Sequence, residues 1–223
     1  MRFHFLNNET CQTATGLVVV IDVLRAFSNA AYAFSVGAES IRLVSTVEEA
    51  LALKAQLPGA LVMGEVNGFP PEGFDFGNSP TEILQQDLRG RHLIQRTGAG
   101  TQGVVRSVQA ETLFAASFAV AGATVRAIQG LNPAEVSFVI TGRDFEGEDR
   151  ACADYLAARL AGENPVPEPY LERVRTAAEV GFMRNFPNLE QDLVHCTRLD
   201  ACPFALPVVR ENGCLVMRAQ ALS

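Results

Sequence analysis

Hydrophobic and polar positions alternate along this chain in two distinct rhythms. Leu17-Val18-Val19-Val20-Ile21 is an unbroken aliphatic run. Such a run predicts a strand buried on both faces. Arg25 to Val36 then predicts a helix that Gly37 ends, and Ser40 to Val44 a second strand. Ser45-Thr46-Val47-Glu48-Glu49 carries overlapping capping boxes, and Val47, Ala50, Leu51 and Leu57 keep helical spacing on one face. Ala60 to Met63 predicts a third strand.

The rhythm stops at Gly64 to Asn78, where four glycines, two prolines, three phenylalanines and three acidic residues follow no period. A long irregular segment inside a compact domain is more often functional than idle. Ser79-Pro80-Thr81-Glu82 closes it with an N-cap, a proline at the first helical position and a glutamate at the third. His92 to Gln95 predicts a fourth strand, Gly98 to Gly103 a glycine-rich turn opening a helix, and Thr112 to Ala115 a short strand. Phe118 to Gln129 predicts a helix with Ser117 as N-cap, Val136 to Ile140 a buried strand, and Glu148 to Leu160 a helix stopped near Gly162. Beyond a proline-rich linker at 164–169, Tyr170 to Ala178 reads as helical. Ala205–Arg210 and Cys214–Arg218 flank Glu211-Asn212-Gly213 as a hairpin.

Strands alternating with helices imply an α/β fold: three layers, α/β/α, around a mostly parallel sheet, with a C-terminal hairpin extension. Residues 1–162 form the expected core, and 163–223 a helical and hairpin extension packed on it.

Composition narrows the function. Hydrophobic residues make up 48% and charged residues 19% of 223, with a formal net charge of -7. No basic run appears, which argues against nucleic acid as a partner. Lys54 is the only lysine, so positive charge is carried by guanidinium groups suited to carboxylate or phosphate. Five cysteines without a CxxC pair, and three histidines without ligand spacing, exclude a zinc ribbon and argue against a disulfide framework. The apolar stretches fall short of a membrane span and no leader pattern opens the chain, so a reducing cytoplasm is the expected home. Homo-oligomerisation is compatible with the sequence, which does not establish it.

In open α/β sheets, ligands bind beyond the carboxyl ends of the strands. That rule selects Asp22 after the first strand, Glu65 after the third, Thr97-Gly98-Ala99-Gly100-Thr101 after the fourth and Arg143 to Asp149 after the last. Carboxylates gathered on one edge repel unless a cation sits among them, and a hard divalent ion such as magnesium takes oxygen ligands of this kind. Asp22 has two readings, an N-cap for the next helix or a group that ligates metal or attacks phosphorus. Leu24 occupies the position where haloacid-dehalogenase phosphatases need a second aspartate, which removes that assignment. Arg25, at a helix start, is disfavoured by the dipole; an anion bound there would remove that objection, and the other reading is a surface arginine paired with a nearby carboxylate. The Gly98 to Gly103 turn lets backbone N–H groups approach an anion, although no Walker lysine follows. Glu148 and Asp149 complement a helix N-terminus, and Asp75 suits a turn.

Ile21-Asp22-Val23-Leu24-Arg25-Ala26, Gly64-Glu65, Gly73-Phe74-Asp75-Phe76-Gly77-Asn78-Ser79-Pro80, Gly100-Thr101 and Glu148-Asp149 followed by Cys152-Ala153 together resemble the 2-phosphosulfolactate phosphatase family. The resemblance implies a magnesium-dependent phosphomonoesterase acting on a small phosphorylated acid; the family's named reaction lies on the route to coenzyme M. It makes Asp22, Glu65, Asp75, Glu148 and Asp149 candidate metal ligands, with Asp22 and Arg25 catalytic. Candidate substrate contacts are Asn78, Ser79, Arg96, Thr97, Gly98, Gly100, Thr101 and Arg143. Ala99 stands where the family has asparagine, Arg96 is gained, and Asp154 replaces a small residue. These departures imply a variant branch with altered selectivity. The alternative they raise is a member that binds a small anion or runs another metal-dependent reaction.

Overall fold

The computed structural model describes residues 1–179, 186 and 188–221. Its elements run β1 (Arg2–Asn7), β2 (Gly16–Ile21), α1 (Ala26–Ser35), β3 (Ser40–Leu43), α2 (Val47–Gln56), β4 (Leu61–Gly64), α3 (Pro80–Ile83), β5 (His92–Arg96) and α4 (Gly100–Arg106). They continue with β6 (Ala110–Ala116), α5 (Ala121–Leu131), β7 (Glu135–Ile140), α6 (Glu148–Leu160), α7 (Glu168–Glu179), α8 (Leu189–Cys196), β8 (Phe204–Glu211), β9 (Cys214–Met217) and β10 (Gln220–Ala221).

The fold is α/β, a mixed, mostly parallel sheet ordered β1-β7-β2-β6-β8-β9-β3-β5-β4, with β10 against β8. Two parallel blocks, β1-β7-β2-β6 and β3-β5-β4, are joined by the antiparallel β8–β9 hairpin. β8 runs antiparallel to β6, and β9 antiparallel to β3. The C-terminal hairpin is therefore an internal part of the sheet. Its alternating residues supply hydrogen bonds and apolar cover that neither block provides at its inner margin.

β2 shows why its aliphatic run is needed. Val18 and Val20 face a core layer built with Phe27, Ala30 and Val104, whereas Leu17, Val19 and Ile21 face a second layer with Phe118, Ile128, Phe138 and Leu156. Both layers are dry, so neither face of the strand tolerates a polar residue. A smaller cluster of Ala50, Val62 and Ile94 seats α2 on the β4–β5 margin. Thr46 caps α2 with the full reciprocal capping box to Glu49.

Ser79 accepts a bond from the Glu82 N–H as expected, but α3 covers only four residues. Ser117 makes no side-chain capping bond; a 3-10 turn over Phe118–Val120 comes first and α5 begins at Ala121. β1 and α8 lie outside the elements expected from the apolar pattern. Among the described residues, no helix is long and apolar enough to cross a membrane.

Candidate active site

The parallel strands β2, β4, β5 and β7 present their carboxyl ends at one margin. The loops that follow them enclose a cavity of about 740 Å³. Asp22, Arg25, Glu65, Asn78, Gly98, Arg143 and Glu148 line it, seven of the residues selected from sequence.

Local chemistry sets each one. Asp22 leaves β2 and accepts a 2.9 Å bond from the Ala26 N–H at the start of α1 through Oδ1. Arg25 rather than Asp22 is the N-cap residue of α1, but Asp22 still serves as a helix-start acceptor, at the cavity wall. Gly64 ends β4 at φ +136, and a Cβ there would overlap the carbonyl oxygen of Arg96. Only glycine lets the chain turn Glu65 into the site. Glu65 then accepts N–H bonds from Gly68 at 2.7 Å and Gly98 at 2.5 Å. Arg96 braces it from behind, donating to the Glu65 carbonyl at 2.7 Å and to the Ser45 carbonyl at 3.2 Å.

Electrostatics separates these carboxylates from ordinary surface ones. Burial pushes the Asp22 carboxyl up to about 7, with the negative charges of Glu148 and Glu65 adding to it. Burial likewise raises Glu148, helped by Asp144. Neighbouring negative groups that raise one another leave a place where a cation is favoured.

Other selected residues do not reach the cavity. Asp149 is buried and wholly occupied: Oδ1 accepts from the Val23 N–H at 2.8 Å, and Oδ2 from the N–H groups of Thr141 at 3.2 Å and Gly142 at 2.8 Å and from the Thr141 hydroxyl at 3.1 Å. It clamps the loop after β2 to the loop after β7. Burial, then Glu148 and Asp22, push its carboxyl up, while the N–H groups pull it back. Asp75 points to the β4 margin, accepting from the Val62 N–H at 2.7 Å and pairing with Lys54 at 2.7 Å. Thr97 and Thr101 bond to each other, the Thr97 N–H to Thr101 Oγ1 at 2.9 Å and the Thr101 N–H to Thr97 Oγ1 at 3.1 Å, which locks the turn into α4. Gly100 backs onto Asp22, where a Cβ would stand 2.6 Å from Oδ2. Ser79 donates to Asp192 at 2.8 Å.

Beyond the residues selected from sequence, the cavity holds Asn8, Asn67, Thr141 and Phe186, and it also holds Asp144 from the selected loop after β7. Asn67 had a turn signal in Asn67-Gly68 and adopts φ 53. Asn8 donates through Nδ2 to the carbonyls of Ala99 at 3.3 Å and Thr141 at 3.4 Å, tying the loop after β1 to the altered loop at Ala99. Asp154 accepts from Arg150 at 2.7 Å and Arg173 at 2.9 Å, and Arg173 also donates to the Glu146 carbonyl at 2.7 Å. That network supports the loop of Arg143 and Glu148 from outside.

Among the described residues, no group of three or more acidic, histidine or cysteine side chains is gathered closely enough to hold a metal by itself. The carboxylates around the cavity are those of Asp22, Glu65, Asp144 and Glu148. Magnesium keeps several waters and takes one or two carboxylates plus substrate phosphate, a set that these separate oxygens fit without a preformed cluster.

A family model for 2-phosphosulpholactate phosphatase matches residues 5–212. Similar proteins include a probable 2-phosphosulfolactate phosphatase of Bacillus subtilis, 33% identical over 87% of each chain. Another, of Carboxydothermus hydrogenoformans, is 40% identical over 67% of this chain and 62% of its own. A third, of Thermotoga petrophila, is 36% identical over 76% of this chain and 74% of its own. With its cavity at the carboxyl margin of a parallel sheet and a match along nearly its whole length, the chain belongs to the 2-phosphosulpholactate phosphatase family.

Proposed function

We propose that this protein is a magnesium-dependent phosphomonoesterase that releases inorganic phosphate from a small phosphorylated acid, with 2-phosphosulfolactate as the leading candidate. The observation that carries the reading is the meeting of Asp22, Glu65 and Glu148 with Arg25 and Arg143 in one cavity. An anionic substrate entering among carboxylates needs positive charge on its phosphoryl oxygens.

Arg25 and Arg143 supply part of that charge and orient the phosphoryl group. One or two of Asp22, Glu65 and Glu148 are the side chains that would hold magnesium alongside the substrate phosphate. When bound, magnesium supplies further charge neutralisation and orientation at the phosphoryl group. A cavity carboxylate accepts a proton from the attacking water as its oxygen bonds to phosphorus. The ester P–O bond breaks, and the leaving alkoxide takes that proton from the carboxyl to give the alcohol, which returns the carboxylate. Asp22, at the cavity wall, is the carboxylate placed for this transfer. The same carboxylate could instead attack phosphorus directly, forming an aspartyl-phosphate that water then cleaves. Five free cysteines suit a reducing compartment, the cytoplasm.

The test is phosphate release from 2-phosphosulfolactate and a panel of phosphorylated 2-hydroxy acids, with magnesium and with chelator. Release that requires magnesium and is lost in Asp22→Asn supports the reading. No release from any compound, or full activity in Asp22→Asn, refutes it.

A further inference from the structure

Asp192 belongs to α8, far along the chain from the catalytic loops, and is wholly buried. Its Oδ2 accepts a 2.6 Å bond from Nη1 of Arg25, which is only 3% exposed. Its Oδ1 accepts from the Ser79 hydroxyl at 2.8 Å and from the Thr81 N–H at 2.9 Å. Two donors from the start of α3 thus fix one oxygen and leave the other aimed at the guanidinium. Phe186 stacks on the same guanidinium, 5.2 Å from ring centroid to Cζ. Arg25 is held by a charge and a ring where it borders the cavity.

A buried ion pair contributes little to stability compared with apolar residues of the same volume, because both charges lose their hydration. Its presence beside a cavity asks for another use. α8 has tethers of its own: Tyr32 donates through its hydroxyl to the His195 carbonyl at 3.0 Å, and Cys196 is fully buried in the core. The helix is thus anchored on α1 without help from Asp192. What Asp192 adds is direction, since a guanidinium held through Nη1 by a fixed carboxylate keeps one orientation.

We infer that Asp192 is a positioning residue for the phosphatase reaction, which sets Arg25 for the phosphoryl group and makes α8 part of the site. The inference rests on the phosphatase reading above.

The experiment is a double-mutant cycle on the full chain with magnesium: Asp192→Asn, Arg25→Gln and the pair, with kcat and KM for the best panel substrate. Thermal melts identify temperatures at which every variant is folded. Displacing an orienting group by an ångström costs on the order of 10²-fold in rate. Asp192→Asn is therefore expected to lower kcat/KM by about 10²-fold alone, but by less than about 2-fold in the Arg25→Gln background. Equal losses in both backgrounds overturn the inference, because a purely structural effect multiplies. Should Asp192→Asn not fold, Asp192→Glu keeps the charge and displaces it, and the same comparison applies. If neither single variant folds, the pair is structural and the inference fails. Absence of phosphate release by the wild type refutes the phosphatase reading alone. The cycle is then read through the Kd of inorganic phosphate by calorimetry, with the same expected pattern, and the same additive result overturns the positioning role.

Discussion

Asp149 provides a sharp separation between a residue that holds ligand and one that holds the protein. Asp149→Ala would remove the acceptor for three backbone N–H groups, those of Val23, Thr141 and Gly142. The Thr141 hydroxyl would keep its 2.9 Å bond to the Ile21 carbonyl. A buried donor left without a partner costs about 1–3 kcal/mol, so the alanine variant stands to lose roughly 3–9 kcal/mol. That approaches the whole stability of a typical domain, about 5–15 kcal/mol. Asp149→Asn is milder. With its amide nitrogen at the Val23 side, the remaining oxygen still serves Thr141 and Gly142, and one N–H is opposed by another donor. The loss is then about 1–3 kcal/mol. Burial and the charges of Glu148 and Asp22 push the Asp149 carboxyl up, so removing its charge relieves repulsion and favours the low end. A low-end loss of about 1 kcal/mol lowers Tm by roughly 2–4 °C in a chain of this size. The assay is urea and thermal unfolding of chelator-treated wild type and variants near pH 8. Unchanged metal-free stability in Asp149→Asn, with loss confined to the stabilisation that magnesium confers, would refute the clamp and make Asp149 a ligand.

Asp22 carries a pH prediction with a definite sign. Its folded value is raised from near 3.8 to about 7, so between those limits the folded chain holds a proton that the unfolded chain has released. Metal-free stability should fall as pH rises from about 4 to about 7, and magnesium affinity should rise over the same window, because binding displaces that proton. A flat stability profile in chelator would count against the burial of this carboxylate. Gly100→Ala should place a methyl 2.6 Å from Asp22 Oδ2 and 2.8 Å from the Ala26 Cβ. Overpacking of this kind costs about 1–3 kcal/mol, partly offset by about 1 kcal/mol of helix propensity, while displacement of Asp22 lowers kcat by at least about 10²-fold. The contrasting Gly130→Ala, in α5 with open space at its Cβ, should gain up to about 1 kcal/mol and leave kcat alone. Equal kinetics in the two variants would show that Gly100 does not confine Asp22.

Much of the fold was legible where a local rule applies. The Leu17–Ile21 run, the Thr46 capping box and the Glu135–Ile140 strand are each written within a few residues. β1 escaped because Arg2 and His4 alternate with Phe3 and Phe5 on an edge strand paired only with β7, which gives a weak apolar signal. The interior position of β8–β9 escaped because strand order is decided by pairings far apart in sequence. The strand-end rule brought Asp22, Glu65 and Glu148 to one cavity without structural knowledge. It could not tell Glu148 from Asp149, adjacent residues of one helix turn whose side chains diverge, one toward the cavity and one toward three N–H groups. Asp192 was invisible for another reason. Its partner Arg25 lies at a separation no local pattern spans, and an aspartate in an amphipathic helix reads as solvent-facing until the helix is docked.

The β8–β9 hairpin also dictates an order of events during synthesis. Each parallel block can begin to pair once its own strands have emerged, yet β6 and β3 keep exposed inner edges until Phe204–Met217 have been made. Until then the nascent chain carries two open β-edges, the state most exposed to pairing with another molecule. Emergence of Phe204–Met217, rather than completion of either parallel block, is the step that closes the sheet. The catalytic margin, whose loops come from both blocks, would acquire its geometry last.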